Sequence, residues 1–597
     1  MAGIRRIFDI LENYKQKYPD LQDALAGKVH KTWIKYSVND YIENSNYVTV
    51  GLLELGLKKG DKIAIISSSM PEWNFLDMGS LQAGIVNVPI YPTISESEHK
   101  YIINHCEAKY IFTSGYDMLR RVETILPECK NIKKVYTLNK VDGYDSIYNI
   151  IELGKKNIHK YNLSEIKDSI NEEDIATLIY TSGTTGIPKG VLLSHSNLVS
   201  NFLGVSHIPP FIPGDRALSY LPLCHVYERM IIYMYQYLGI SLYYAESIPR
   251  ISQNFLEVKP AVMCSVPRLI EKTFDKFLTT GNKLKGIKKT IFFWALKFAE
   301  EFSFDKQKNV FYKFKHFFAD KLVYSQLRKA LGGNIKIIVA GGAAITEKLV
   351  RIFTCAGVYI FPGYGLTETS PVIAVSTFRP NQLIFHAVGG VMPQNEVKIA
   401  SDNEILTRGP SVMKGYYKDE ELTKQSIDED GWFYTGDIGK IIFDNTLVIS
   451  GRKKSIFKNS FGKYINPDYV ENKLKESLFI DNAMVVGENE KYCAALITPN
   501  FMHLNSWCLE NNYKFDNFEE MVASKEVIKK YKEVVLEINQ DLSSTEKVSN
   551  FVILPTEWTI DSGELSAALK IKRAFLFEKY ADEISSLFET KNNKKNN

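Results

Sequence analysis

The sequence lacks any stretch that reads as a membrane span. The nearest, "MIIYMYQYLGISLYYA" at 230–245, is uncharged but broken by Gln236, Gly239 and Ser241. It also falls short of the roughly 20 apolar residues that a bilayer core requires. A buried helix followed by a strand is the better reading. The seven cysteines include no CxxC pair and form no zinc-like spacing with the ten histidines, which argues for reduced, buried thiols and against a disulfide framework or a Cys/His metal site. Basic and acidic residues nearly cancel, 73 against 69 for a net charge of +4, so nothing in the charge demands a nucleic-acid partner. "MAGIRRIFDILENYKQKYPD" has no apolar core and no small-residue cleavage site, which predicts a cytoplasmic protein without a secretory signal. No repeat of 20 to 50 residues is visible.

What is present is enough for more than one hydrophobic core: 597 residues, 45% of them hydrophobic. β-rich runs such as "KIAIIS" (62–67), "GIVNVPIY" (84–91) and "AKYIFTS" (108–114) alternate with segments of helical period, "DMGSLQA" and "SEHKYIINHCE". The rhythm returns in "IKIIVAGG" (335–342), "TEKLVRIFTCAG" and "VYIFPGYGLTE" (358–368). This alternation predicts an α/β protein with a large N-terminal domain of stacked α/β layers over residues 1–453, including a small β-rich subdomain at about 382–453. A small α+β C-terminal domain follows over 454–590, and 591–597 reads as a disordered tail.

One segment is compositionally biased. Between 283 and 321, ten lysines face four acidic residues while Phe, Trp and Tyr recur. Two readings stand: an amphipathic helical insertion, about 280–330, packed on the domain, or a surface for peripheral association with an anionic membrane. Packed surface helices are the commoner case.

"LIYTSGTTGIPKGVLLSH" (178–195) carries the first chemistry. Gly183 and Gly186 let backbone N–H groups turn inward, Thr181, Ser182, Thr184 and Thr185 supply hydroxyls, and Lys189 supplies a positive charge, a set suited to phosphate. The spacing is not that of a Walker A loop. A flexible Ser/Thr linker is the alternative, and the apolar strands on both sides argue against it.

"YTSGTTGIPKG" resembles the signature loop of the adenylate-forming superfamily, whose members include acyl-CoA synthetases, luciferase and peptide-synthetase adenylation domains. Further blocks occur in the family's order: "SVPRLIEK" (265–272), "IVAGGAAI" (338–345), "YGLTETSP" (364–371), "WFYTGDIG" (432–439), "GRKKSIFKNSFGKYINP" (451–467) and "LKIKR" (569–573). The resemblance spans nearly the whole chain and implies ATP-dependent activation of a carboxylic acid, with ATP, CoA and Mg²⁺ as co-substrates and metal and with a C-terminal domain that moves.

Residue by residue, the resemblance implies that Thr181, Ser182, Gly183, Thr184, Thr185, Gly186 and Lys189 cradle the β- and γ-phosphates. Glu368 would hold Mg²⁺ and Thr367 would face the α-phosphate. Tyr364 would stack on adenine, with Gly365 beside it and Gly341, Gly342 and Ala343 as the wall. Asp437 would accept the ribose hydroxyls, with Arg452 approaching from the far side of a hairpin. Lys570 would bridge the attacking carboxylate and the α-phosphate, Lys454 would serve as hinge, and Gly462 would let the pantetheine of CoA pass. Two departures from the family pattern are Ser455, where an acid is common, and Ala567-Ala568, where Pro and Thr are usual in the long-chain branch.

"YLPLCHVYERM" (220–230), "DKLVYSQLRKALGG" (320–333), "TWIKYS" and "SSSMPEWNF" resemble that long-chain fatty-acyl branch. There His225 would sit beside the acyl carboxylate and Tyr227 would gate the acyl tunnel. The uncharged stretch at 230–245 would line that tunnel or pack as core. Three functions stay open: a long-chain fatty-acid CoA ligase, an acyl-AMP ligase loading a separate acyl-carrier protein, and a catalytically silent binding or regulatory protein.

Overall fold

The computed structural model describes residues 3–181, 187–208, 210–304, 309–566 and 569–588. The protein is a mixed α/β molecule with two large sheets in its N-terminal part and a smaller three-stranded sheet in its C-terminal part. Strands Lys62–Ile66, Val86–Ile90, Tyr110–Thr113 and Lys134–Thr137 pair in parallel. Helices Pro71–Gln82, Glu96–Cys106 and Gly115–Ile125 connect them. Such strands are covered on both faces, and every residue of Val86–Ile90 is buried. Val86–Ile90 also pairs with Ile175–Thr181, which forms an antiparallel hairpin with Lys189–Ser194. The phosphate-loop candidate therefore joins two adjacent strands; its residues 182–186 lie outside the described residues.

The second sheet is parallel over Ser241–Tyr244, Arg216–Ser219, Val262–Ser265, Ile337–Ala340 and Tyr359–Gly365. It continues without a break into antiparallel strands Val372–Val375, Gly389–Val391, Thr446–Arg452, Phe433–Ile442, Glu404–Arg408 and Glu396–Ile399. The β-rich stretch predicted at about 382–453 thus extends this sheet. Its strand Gly415–Tyr416 pairs instead with Lys189–Ser194 and ties the two sheets together.

The uncharged stretch at 230–245 is the buried helix Val226–Tyr237 followed by the strand Ser241–Tyr244. Arg229, fully buried on that helix, pairs with Asp77 and donates to Thr177 Oγ1 and the Tyr233 hydroxyl, both at 2.7 Å. The Tyr233 hydroxyl and Asn87 Nδ2 complete the carboxylate of Asp77. A buried charge is tolerable only when it is paired and its hydrogen bonds are satisfied. This network pins the helix to the strand Ile175–Thr181 through Thr177 and to the helix Pro71–Gln82 through Asp77, which Asn87 ties in turn to Val86–Ile90.

The seven cysteines are all buried free thiols. No helix among the described residues is long and apolar enough to cross a membrane. After Arg452, the hairpin Phe457–Lys458/Tyr464–Ile465 leads to the sheet of Ile480–Val486, Cys493–Pro499 and Val548–Ile553, with its own apolar clusters. Arg268, on the helix Pro267–Asn282, forms an ion pair with Asp481 across the two parts, and Asn500 Nδ2 donates to Asp275 Oδ2 at 3.2 Å.

Candidate active site

One cavity of about 1730 Å³ runs between the two parts of the molecule and onward into the N-terminal core. Its polar end is built on the edge where the second sheet turns antiparallel. Strands Phe433–Ile442 and Thr446–Arg452 place Asp437 directly opposite Arg452. Arg452 Nε lies 2.8 Å from Asp437 Oδ1, and the Tyr364 hydroxyl donates to Oδ2 at 2.7 Å. Burial raises the Asp437 pKa, and Arg452, Tyr364 and Lys570 oppose that rise. Both carboxylate oxygens are therefore engaged, and Tyr364 is oriented by its hydroxyl with its ring along the cavity wall.

Gly341, Gly342, Ala343 and Gly365 complete that wall. Gly342 has φ +83°, a conformation that L side chains rarely adopt. A Cβ at Gly365 would fall 1.8 Å from the Pro371 carbonyl oxygen. Thr367 and Glu368 follow in a short turn and also line the cavity. Glu368 Oε1 accepts from the Tyr416 hydroxyl at 2.9 Å, and the Lys189 ammonium stands 5.1 Å from the Tyr416 ring centroid. Thr181 and Lys189 are paired across the hairpin. The base of the phosphate-loop candidate and Glu368 are thus linked through Tyr416, a residue that no motif in the sequence singles out.

Among the described residues, no group of three or more His, Cys, Asp or Glu converges to hold a metal. Glu368, a single carboxylate with one oxygen not taken by Tyr416, fits a hard cation that completes its shell with phosphate oxygens and water.

Lys570 comes from the C-terminal part. It sits on a tight loop closed by the Leu565–Ile571 bridge and by Ser566 N donating to Lys570 O at 2.8 Å. Residues 567 and 568, the Ala-Ala departure, lie outside the described residues. The loop is held from behind by Arg573, whose Nη2 donates to Glu471 at 2.7 and 2.8 Å and to Asp468 at 3.1 Å. Lys570 is an exposed residue whose side chain lines the cavity. Desolvation by the protein around the cavity, followed by Arg452, lowers its pKa, while Asp437 and Glu368 hold it up. Residues 570, 368, 437 and 452, far apart in sequence, are in electrostatic reach of one another.

Beyond Lys570 the cavity turns apolar. His225 caps the helix Val226–Tyr237, its Nδ1 accepting from Tyr227 N at 3.1 Å. Burial first, and the Lys570 charge second, push its pKa down to about 4. Tyr227 is buried, donates to the Val339 carbonyl at 3.0 Å and packs on Gly341; this makes it a fixed wall. Past it stand Ile231, Met234, Val262, Ile337, Val339 and Phe361. Of the 230–245 stretch, only Ile231 and Met234 border the cavity; most of the rest is buried core, with Tyr237, Leu238 and Ala245 half-buried.

Lys454 and Ser455 line the cavity where the chain passes between the two parts. Gly462, at φ +72° in the turn of the hairpin Phe457–Lys458/Tyr464–Ile465, stands apart from it.

A family profile described as AMP-binding enzyme matches residues 11–417, and the profile of the AMP-binding enzyme C-terminal domain matches 455–592. The chain belongs to the AMP-binding enzyme family. Among curated relatives, the long-chain-fatty-acid–CoA ligase FadD15 of Mycobacterium bovis is 32% identical to this AMP-binding enzyme over 565 residues, 93% of this chain and 92% of the relative. The human long-chain-fatty-acid–CoA ligase 1 is 28% identical, over 94% of this chain and 82% of its own length. The adenylation domain of a carboxylate reductase from Mycobacterium chelonae superposes with a TM-score of 0.75 at 17% identity, covering 98% of this chain and 92% of that domain. The anthranilate CoA ligase AuaEII, solved with anthranoyl-AMP, gives 0.71 at 18% identity, covering 98% of both chains. At such identities the likeness of the solved structures speaks for the fold alone.

Proposed function

We propose that this AMP-binding enzyme activates a long-chain fatty acid with ATP and passes the acyl group to CoA. The observation that carries this reading is the single cavity in which a lysine of the C-terminal part meets Asp437, Arg452 and Glu368 at one end and apolar side chains continue past His225 at the other. The names of the curated relatives at about 30% identity support the same substrate class.

In the first step a carboxylate oxygen forms a bond to the α-phosphorus of ATP, and the bond from that phosphorus to the bridging oxygen breaks, releasing pyrophosphate. Two anions must approach each other. Lys570, carried into the cavity by its loop, lowers that repulsion as it peaks in the transition state. Asp437 takes the ribose hydroxyls, displacing the Tyr364 hydroxyl and freeing that ring for adenine. Thr181 and Lys189, with the loop between them, grip the departing phosphates, and Thr367 faces the α-phosphate. Glu368 would hold Mg²⁺, which supplies charge neutralisation on the phosphates. The neutral His225 has Nδ1 occupied, so its Nε2 carries the proton and donates toward the acyl carboxylate.

In the second step a thiol attacks the acyl carbon and AMP departs. Lys454 is the hinge for the domain rotation this requires, and Gly462, apart from the cavity here, would then line the pantetheine path.

Pyrophosphate exchange into ATP with palmitate tests the first step. No exchange by folded protein would overturn every ligase reading, the silent homologue then standing. Supplying CoA or a holo acyl-carrier protein as acceptor separates the ligase from the carrier-loading alternative.

A further inference from the structure

The helix Val310–Ala319 has its apolar side turned outward. A surface helix ordinarily buries its apolar stripe and shows its charges to water. Here the packed face is Tyr312, His316 and Ala319: Tyr312 lies against Phe298 with ring centroids 4.6 Å apart, and His316 Nε2 bonds the Cys355 carbonyl at 2.8 Å. Asn309 caps the helix through its side-chain oxygen. A firmly seated helix therefore presents Val310, Phe311, Phe314 and Phe317 to solvent at 77, 80, 64 and 59% exposure. At about 100° per residue, Val310, Phe314 and Phe317 lie opposite the packed face. Phe318 and Leu322 widen the strip, and both are exposed.

The exposed charges on this helix itself are basic. Lys313 and Lys315 fall on its two flanks and Lys321 follows in the wider turn Asp320–Tyr324; all three are exposed, and none forms an ion pair among the described residues. Asp320, the acid that follows this helix in sequence, is taken by Arg328. Contiguous exposed apolar surface of this kind marks an interaction site. Apolar side chains between lysines, on a helix about 15 Å long, suit a surface that is apolar below and anionic above. A second copy of the chain suits it less, because pairing two such faces would set lysine against lysine.

We propose that the outward face of Val310–Ala319 docks on an anionic phospholipid bilayer, the phenylalanines entering the boundary between headgroups and acyl chains and Lys313, Lys315 and Lys321 meeting the lipid phosphates. This surface is separate from the cavity, and the inference does not rest on the catalytic reading.

The test is flotation of the full-length protein with phosphatidylcholine vesicles with and without phosphatidylglycerol, at about 0.1 M and about 1 M salt, where the screening length falls from about 10 to about 3 Å. The bound fraction should rise about tenfold or more with the anionic lipid at low salt. F311S/F314S/F317S should reduce binding to background. K313A/K315A/K321A should lose most binding at low salt, and both variants should unfold at the wild-type temperature. The proposal is overturned if the wild type does not float with anionic vesicles at low salt, or if the phenylalanine variant floats as well as the wild type. It is equally overturned if light scattering finds a dimer that these substitutions dissolve and that vesicles do not compete away.

Discussion

The two ends of the cavity are built on opposite principles. At the polar end almost every side chain is fixed by a directional partner: Asp437 by Arg452 and Tyr364, Glu368 by Tyr416, and the Lys570 loop by Arg573 and Glu471. At the apolar end Ile231, Met234, Val262, Ile337 and Phe361 offer shape and no polar anchor beyond His225. A few oriented groups can specify a reaction, because charge development has a place and a direction. An alkyl chain has neither, so its selection must come from volume, in small increments per methylene.

The sharpest way to break this contrast is Lys570→Ala. Adenylate formation should fall by about 10³-fold or more, while thioester formation from a supplied acyl-adenylate stays within about threefold of wild type. Single-turnover measurement of each half-reaction checks it. An equal loss in both would remove the two-orientation account of the C-terminal domain. Next in size, Asp437→Asn should lower kcat/KM for ATP by about 10²-fold, because it weakens ribose recognition and leaves Arg452 without its carboxylate. Its effect should be independent of acyl length.

Substitution at the apolar end should do the reverse. Met234→Trp narrows the cavity past His225 and should reduce kcat/KM for palmitate by about 10- to 100-fold relative to decanoate, with the KM for ATP unchanged. Competition between the two acids, read by mass spectrometry of the thioesters, measures the shift directly. A uniform loss for both acids would mean that Met234 is core rather than cavity wall.

The same division decides what could be read in the sequence. The hairpin flanking the phosphate loop and the facing of Asp437 and Arg452 are local β features, carried by alternation and turn residues a few positions apart. The Tyr416 contact to Glu368, the Arg573 grip on Glu471 and the Arg268 bridge to Asp481 join residues from distant parts of the chain, and no local pattern announces them. The helix Val226–Tyr237 is buried on all sides. A helix without a polar face carries no periodic signal, so composition could not separate its cavity side from its core side. In 283–321 the two faces of the helices were legible, but not that the aromatic face would point outward: only the seating of Tyr312 and His316 decides that. The second sheet's unbroken run into the β-rich strands was hidden for a similar reason, since pairing between Tyr359–Gly365 and Val372–Val375 is a tertiary choice.

The smallest expected effect lies where the two ends meet. His225 Nδ1 must keep its lone pair to accept from Tyr227 N, so proton uptake at that nitrogen breaks the helix cap as well as placing a charge among apolar groups. In the folded protein its pKa is pushed down to about 4; in the unfolded chain it returns to about 6.5. Between those values the unfolded state binds more protons, so the contribution of His225 to stability is complete above about pH 6.5 and is lost as pH falls toward 4. NMR should find the His225 ring neutral down to about pH 5, and His225→Ala should flatten the acid limb of the unfolding curve while costing about 1 kcal/mol at neutral pH through the lost cap. Part of the depression comes from Lys570 in the other domain. Lys570→Ala should therefore raise the His225 pKa measurably in a protein that is otherwise unchanged. An unmoved pKa would mean that the lysine does not stand at the junction in solution, and that the polar and apolar ends are brought together only when substrates bind.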